Sequence, residues 1–243
     1  MIRPYVTLSC AMSLDGYLDT ASPHKLAMSN SDDFDRVDQL RAESDAIMVG
    51  ASTVRRDNPR LLIRSAARRR EREQAGLTSS PIKVTVTATG DLSADAAFFA
   101  EGDVEKIVYG TQEVARTLED ALGGVASVVA LGPDASMADV LDDLAERGVE
   151  RLMVEGGGRV LTQFLVDELA DELQLVIAPF FVGEPGAPRF VEPARFPWTS
   201  ARRAVLADTQ KIGDVVLLRY ALSERCRSAA RARRAAAELP ARR

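Results

Sequence analysis

Arg151-Leu-Met-Val-Glu155-Gly-Gly-Gly158-Arg-Val-Leu-Thr-Gln-Phe-Leu165 reads as a strand, a glycine turn and an amphipathic helix. Consecutive glycines let a backbone approach a ligand closely. The helix that follows offers unpaired N–H groups suited to a phosphate. Glu155 falls at the carboxyl end of the strand, where open α/β sheets bind their ligands. The stretch alone leaves two readings open: a nucleotide site with an acid at its lip, or a tight strand-to-helix turn.

The surrounding chain repeats the strand-then-helix alternation. Strands are expected at 5–10, 46–49, 82–87, 106–109, 127–131, 151–154 and 172–178. Helices are expected from Ser31 to about Glu43, burying Phe34, Val37 and Leu40 under an Asn30 or Ser31 cap, and at 51–55, 112–121, 137–147 and 159–169. The Arg- and Glu-rich segment 64–80 lacks apolar periodicity and reads as an exposed, partly helical loop. Strands at 202–209 and 215–221, joined at Gly213-Asp214, form an antiparallel hairpin. The pattern predicts an α/β fold with a mostly parallel central sheet and a C-terminal antiparallel hairpin. One domain is expected over residues 1–222, followed by an Arg/Ala-rich tail over 223–243 that frays for want of an apolar stripe.

Composition excludes several chemistries. There is no apolar run of about 18 residues and no signal-peptide core, so a cytoplasmic protein is expected. One histidine, His24 in a polar loop, and two cysteines, Cys10 and Cys226, match no zinc spacing or histidine triad. No metal is expected, and His24 reads as solvated. Residues 224–243 carry seven Arg against two Glu, so the net charge of −5 hides a more acidic body. An acidic body argues against nucleic acid as a partner. A phosphate ligand would have to be met locally.

Three islands carry the chemistry. Ala11-Met-Ser-Leu-Asp15-Gly16 leaves the first strand, Gly50-Ala-Ser-Thr53-Val-Arg-Arg-Asp57-Asn-Pro-Arg-Leu61 leaves the second, and Glu155-Gly-Gly-Gly158 leaves a third. In a parallel sheet all three converge on one crevice. In order and spacing they resemble the reductase domain of the riboflavin pathway, over roughly residues 4–222. Taken alone, Asp15-Gly16 and Asp57-Asn-Pro59 would each read as a turn.

The resemblance implies a dihydrofolate-reductase-like fold, a homodimer with an apolar interface, and an NADPH-dependent reductase of a phosphoribosylamino-pyrimidine, whose sugar becomes a ribityl chain. It implies cofactor contacts at Ala11, Thr53 and Asp57 and a pyrophosphate cradle at Gly156, Gly157 and Gly158. Glu155 matches a substrate-contacting acid, and Arg41, Leu61 and Arg64 match positions around the sugar phosphate. Asp57 and Glu155 are the candidate catalytic acids. Thr87 and Thr89 end a strand and offer hydroxyls to an adenosine 2′-phosphate, but no Arg adjoins them in sequence, so NADPH rests on the resemblance. Bacterial bifunctional members carry Ser and Trp where this chain has Lys25 and Ala27. Lys25 can still meet a phosphate as a point charge. Nothing matches the zinc deaminase of the bifunctional members, so a stand-alone reductase is expected. The alternatives are a pterin or dihydrofolate-type reductase and a non-catalytic nucleotide-binding module.

Overall fold

The computed structural model describes residues 2–22 and 25–228. His24 and the tail beyond residue 228 lie outside the described residues. The chain begins with β1 (Tyr5–Ser13), α1 (Ser31–Ala42), β2 (Ala46–Gly50), α2 (Ala51–Asp57) and α3 (Ala66–Gln74). There follow β3 (Ile82–Thr87), α4 (Ala97–Ala100), β4 (Lys106–Thr111), α5 (Gln112–Leu122), β5 (Ser127–Leu131) and α6 (Met137–Glu146). It closes with β6 (Arg151–Gly156), α7 (Gly158–Val166), β7 (Glu172–Ala178), β8 (Val205–Ile212) and β9 (Val215–Ala221).

The strands form one sheet in the order β5-β4-β3-β2-β6-β1-β7-β9-β8. Every pairing from β5 to β7 is parallel, and β9 and β8 close the edge antiparallel. The chain winds outward from β2 to β5, then returns to insert β6 between β2 and β1. The strand order therefore switches at β2-β6-β1, and the crevice opens at the carboxyl ends of those strands. The three motif islands lie there.

The central strands of the sheet are buried on both faces. On one, Val6, Leu8 and Val154 pack with Val140, Leu144, Leu161 and Phe164 of α6 and α7. On the other, Ile47, Val49 and Met153 pack with Val54, Phe98, Phe99, Leu118 and Leu122. Each such side chain stabilises the fold by about 1.5–3 kcal/mol when fully buried. This two-sided burial is why the parallel strands read as continuous apolar runs. No helix among the described residues is long and apolar enough to cross a membrane.

Several local expectations change. β1 runs on to Ser13, so Ala11 is a strand residue. The hairpin's first strand starts at Val205, and its turn is closed by Gly213 at a φ of 60°. The segment expected as an exposed, partly helical loop holds the helix α3, whose Arg72 is buried and donates to the carbonyls of Thr78, Ala42 and Ser44. An arginine thus does the docking that apolar residues do elsewhere, which hydrophobic periodicity does not detect. The start of the expected tail forms a helical turn over 224–228, where Arg225 pairs with Asp171.

α1 shows the largest departure. Asn30 caps it by accepting from the Asp33 N–H at 3.1 Å. Leu40 is buried as expected, but Phe34 is 41% exposed, while Asp33 and Asp38 are buried. The face of α1 bearing Phe34, Val37, Asp38 and Arg41 lines a cavity, so its polarity is that of a cavity wall.

Candidate active site

Glu155 stands at a β-bulge. Met48 pairs with Val154 and Val49 with Gly156, leaving Glu155 as the extra residue. Bulges redirect side chains and recur beside functional sites. Glu155 meets Arg41 in the last turn of α1 through two hydrogen bonds, Arg41 Nε to Oε1 at 2.6 Å and Nη2 to Oε2 at 2.7 Å. Arg41 Nη1 also donates to the Leu62 carbonyl at 3.1 Å. The two side chains are only 13% and 17% exposed. Burial alone would lower the Arg41 pKa, but the charge and hydrogen bonds of Glu155 outweigh it and raise it above the ordinary value.

A cavity of about 270 Å³ opens beside this pair, its wall including Ser9, Ala11, Asp33, Phe34, Arg64 and Glu155. Asp38 accepts from the backbone N–H groups of Arg64 and Ser65 at 2.6 and 3.0 Å, which fixes this chain against α1. The Arg64 guanidinium lies 5.3 Å from the centre of the Phe34 ring. It makes no ion pair among the described residues. The cavity therefore runs from a neutralised carboxylate–guanidinium pair to an unpaired cation.

The glycine turn forms a close-packed cradle. A Cβ on Gly157 would lie 3.1 Å from Thr53 Oγ1, and one on Gly158 would lie 2.3 Å from the Arg189 carbonyl. Gly156 sits at a φ of 121°, which L side chains rarely adopt. Gly157 caps α7 without a side-chain hydrogen bond, so the first-turn N–H groups have no capping side chain. Nearby, Asp57 Oδ1 is buried without a hydrogen-bond partner. Lys25 Nζ is 3.4 Å from that oxygen and donates to the Asp57 carbonyl at 2.7 Å. A close-packed glycine turn with uncapped N–H groups suits a nucleotide cofactor that brings a pyrophosphate, and Asp57, ion-paired to Lys25 but with no hydrogen bond on its buried Oδ1, can accept from it.

A second groove of about 270 Å³ continues past the ends of β2, β3 and β4, its wall including Arg55, Thr87, Thr89, Ser136 and Arg159. The sequence shows no Arg beside Thr87 and Thr89, yet the fold brings two into their groove. Arg55 donates to the Asp91 carbonyl at 3.0 Å, and Arg159 makes no ion pair among the described residues. Thr87 Oγ1 accepts from the N–H groups of Thr89 and Gly90 at 3.3 and 3.0 Å, so it holds its own turn.

Four of the expected site residues have these surroundings. Arg41 is held by Glu155 and the Leu62 carbonyl. Leu61 is buried in the core at a φ of 51°, so its side chain is taken up by packing. Lys25 reaches Asp57. Ala11 lines the cavity that holds Glu155. Ser9, Asp33, Phe34, Arg55 and Arg159 were missed. For Asp33 and Phe34, the three- and four-residue spacing to Val37, Asp38 and Arg41 on one helix was the available signal.

Sheet order, switch-point crevice and glycine cradle together define a dihydrofolate-reductase-like α/β fold. The chain belongs to the RibD C-terminal domain family, matched over residues 4–218. It is 34% identical, over 88% of its length and 95% of the relative's, to an Archaeoglobus fulgidus protein named 2,5-diamino-6-ribosylamino-4(3H)-pyrimidinone 5′-phosphate reductase. A Corynebacterium diphtheriae pyrimidine reductase-like protein superposes with a TM-score of 0.75 at 22% identity, over 90% of this chain and 91% of that one. A Thermotoga maritima deaminase/5-amino-6-(5-phosphoribosylamino)uracil reductase superposes with a TM-score of 0.72 at 24% identity, over 90% of this chain and 56% of that one.

Proposed function

We propose that the protein is an NADPH-dependent reductase of 2,5-diamino-6-ribosylamino-4(3H)-pyrimidinone 5′-phosphate, acting in riboflavin biosynthesis as a cytoplasmic homodimer. The observation that carries this reading is the meeting of Glu155–Arg41, Thr53, Asp57 and the Gly156–Gly158 cradle at one switch point. The kinship with the Archaeoglobus reductase over nearly its whole length supports it. The reaction adds a hydride to C1′ of the open-chain imine and a proton to its nitrogen, converting ribosyl to ribityl. The bound dinucleotide supplies the hydride. The protein's part is placement and charge. Gly157 and Gly158 would hold the pyrophosphate, Asp57 would accept from the cofactor, and the groove with Arg55 and Arg159 would take the adenosine 2′-phosphate. Glu155, fixed by the Arg41 fork, contacts the substrate, and Arg64 meets its phosphate. Substrate-dependent loss of NADPH absorbance tests the proposal. Equal turnover of dihydrofolate, or none with any pyrimidine nucleotide, would overturn it.

Arg64→Ala is expected to raise KM for the phosphorylated substrate roughly 10- to 150-fold, the worth of a charged hydrogen bond. KM for NADPH should stay nearly unchanged. The variant should lose the preference for the 5′-phosphate over the dephosphorylated nucleoside. Steady-state kinetics with both nucleosides reads this directly.

The outer strands carry the proposed dimer surface. Val205, Leu206 and Val216 are 45%, 45% and 41% exposed on the edge hairpin, an apolar density that free edges avoid. A dimer mass by light scattering at micromolar concentration is the expected result. Leu206→Glu with Val216→Glu should shift it to the monomer.

A further inference from the structure

The segment that carries Arg64 is held in place by side chains. Residues 62–64 form no backbone–backbone hydrogen bond among the described residues. The Leu62 carbonyl accepts from Arg41 Nη1, and the Ile63 N–H donates to Ser80 Oγ at 3.0 Å. Arg69 Nη1 donates to the carbonyls of Ile63 and Arg64 at 2.8 and 2.7 Å. Asp38 accepts from the N–H groups of Arg64 and Ser65, one on each carboxylate oxygen. The chain reaches this segment through Asn58 and Leu61, at φ of 44° and 51°. Such conformations persist only where the surroundings over-determine them.

Asp38 is the contact that bears on Arg64 most directly. Its side chain, in the third turn of α1, is only 4% exposed. Arg68 Nη1 also donates to its Oδ2 at 2.9 Å, and the same guanidinium holds Asp35 through two bonds of 2.7 Å. Burial pushes the Asp38 pKa up, but the two N–H groups and Arg68 outweigh it and keep the group below the ordinary carboxylate value. The carboxylate is therefore charged and fully occupied by donors of its own loop and of α3. It leaves the Arg64 guanidinium, 5.3 Å from the centre of the Phe34 ring, without an ion pair among the described residues. We propose that Asp38 is a positioning residue for phosphate recognition: it fixes the backbone of Arg64, so that the guanidinium enters the cavity at one place and with its charge free for the substrate. The proposal rests on the reductase reading above. Preset placement of a charged partner saves the ordering that a loose loop would need on binding.

A double-mutant cycle with Arg64 tests it. Asp38→Asn keeps the shape but turns an NH2 group toward one of the N–H donors, so a bond of the clamp is lost. It should raise KM for the phosphorylated substrate, and the Kd of the reduced ribityl product by calorimetry, about tenfold. KM for the dephosphorylated nucleoside and Kd for NADPH should stay within about twofold of wild type. In an Arg64→Ala background the same substitution should add less than about twofold, because the residue it acts through is gone. A merely structural role would weaken all three ligands alike and add its full effect to that of Arg64→Ala, and either result overturns the proposal. So does Asp38→Asn with a wild-type KM. Hydrogen exchange on the wild type decides the matter even where the variant fails to fold: the Arg64 and Ser65 N–H groups should exchange at least about tenfold more slowly than free amides, and free exchange overturns the clamp. Wild type that binds neither the nucleotide nor its product overturns the reductase reading itself, which distinguishes the two failures.

Discussion

Arg41→Ala is expected to destabilise the protein by about 3–5 kcal/mol, because it strands a carboxylate that is mostly buried. Glu155 has little water to replace the two guanidinium bonds it would lose. Urea denaturation should show a lower midpoint at unchanged slope. The double variant Arg41→Met/Glu155→Leu should cost less than Arg41→Ala alone, since removing both charges also removes the desolvation penalty. Strictly additive costs would contradict the pair.

The same residue separates two roles. If Arg41 mainly orients Glu155, Arg41→Lys keeps the charge but loses the planar fork. Its kcat should then fall while its preference for the 5′-phosphate persists, the opposite of Arg64→Ala. A loss of phosphate preference in Arg41→Lys would restore the phosphate role that the motif resemblance implies.

The order of strands and helices was legible because burial on both faces leaves apolar runs such as Ile47–Val49 and Leu152–Val154, and because glycines mark where strands turn into helices. The edge hairpin was legible from Gly213. α3 was not, since its docking is done by Arg72 through carbonyl contacts, and charge runs ordinarily mean solvated surface. Phe34 was misjudged for the complementary reason. Periodicity says which face of a helix is turned inward, but it cannot say whether that face meets a core or a cavity.

The glycine cradle and Glu155 could be read from local sequence because close backbone approach requires glycine wherever the partner comes from. Pairing could not. Arg41 and Glu155 are joined only because β6 returns beside β2, and Arg55 and Arg159 share a groove only because α2 and α7 start at neighbouring strand ends. Such contacts belong to topology, so a search for Arg next to Thr87 in sequence finds none.

Gly157→Val is expected to abolish cofactor binding while leaving a folded protein. The φ and ψ of Gly157, −73° and −175°, are open to valine, so backbone strain is not the obstacle. Space is. A Cβ there already lies 3.1 Å from Thr53 Oγ1, and the two methyl groups of valine would fill the approach to the α7 N–H groups. In the wild type, NADPH at 100 times its Kd should add roughly 2.7 kcal/mol of stability, a rise in melting temperature of roughly 5–10 °C for a chain of this size. The variant should show no rise at the same concentration, and its own ligand-free melting temperature separates lost binding from lost folding. A flat wild-type melting temperature across millimolar NADPH and NADH would remove the cofactor from this site. A variant that keeps the full shift would leave the cofactor in place but move its pyrophosphate away from the glycines.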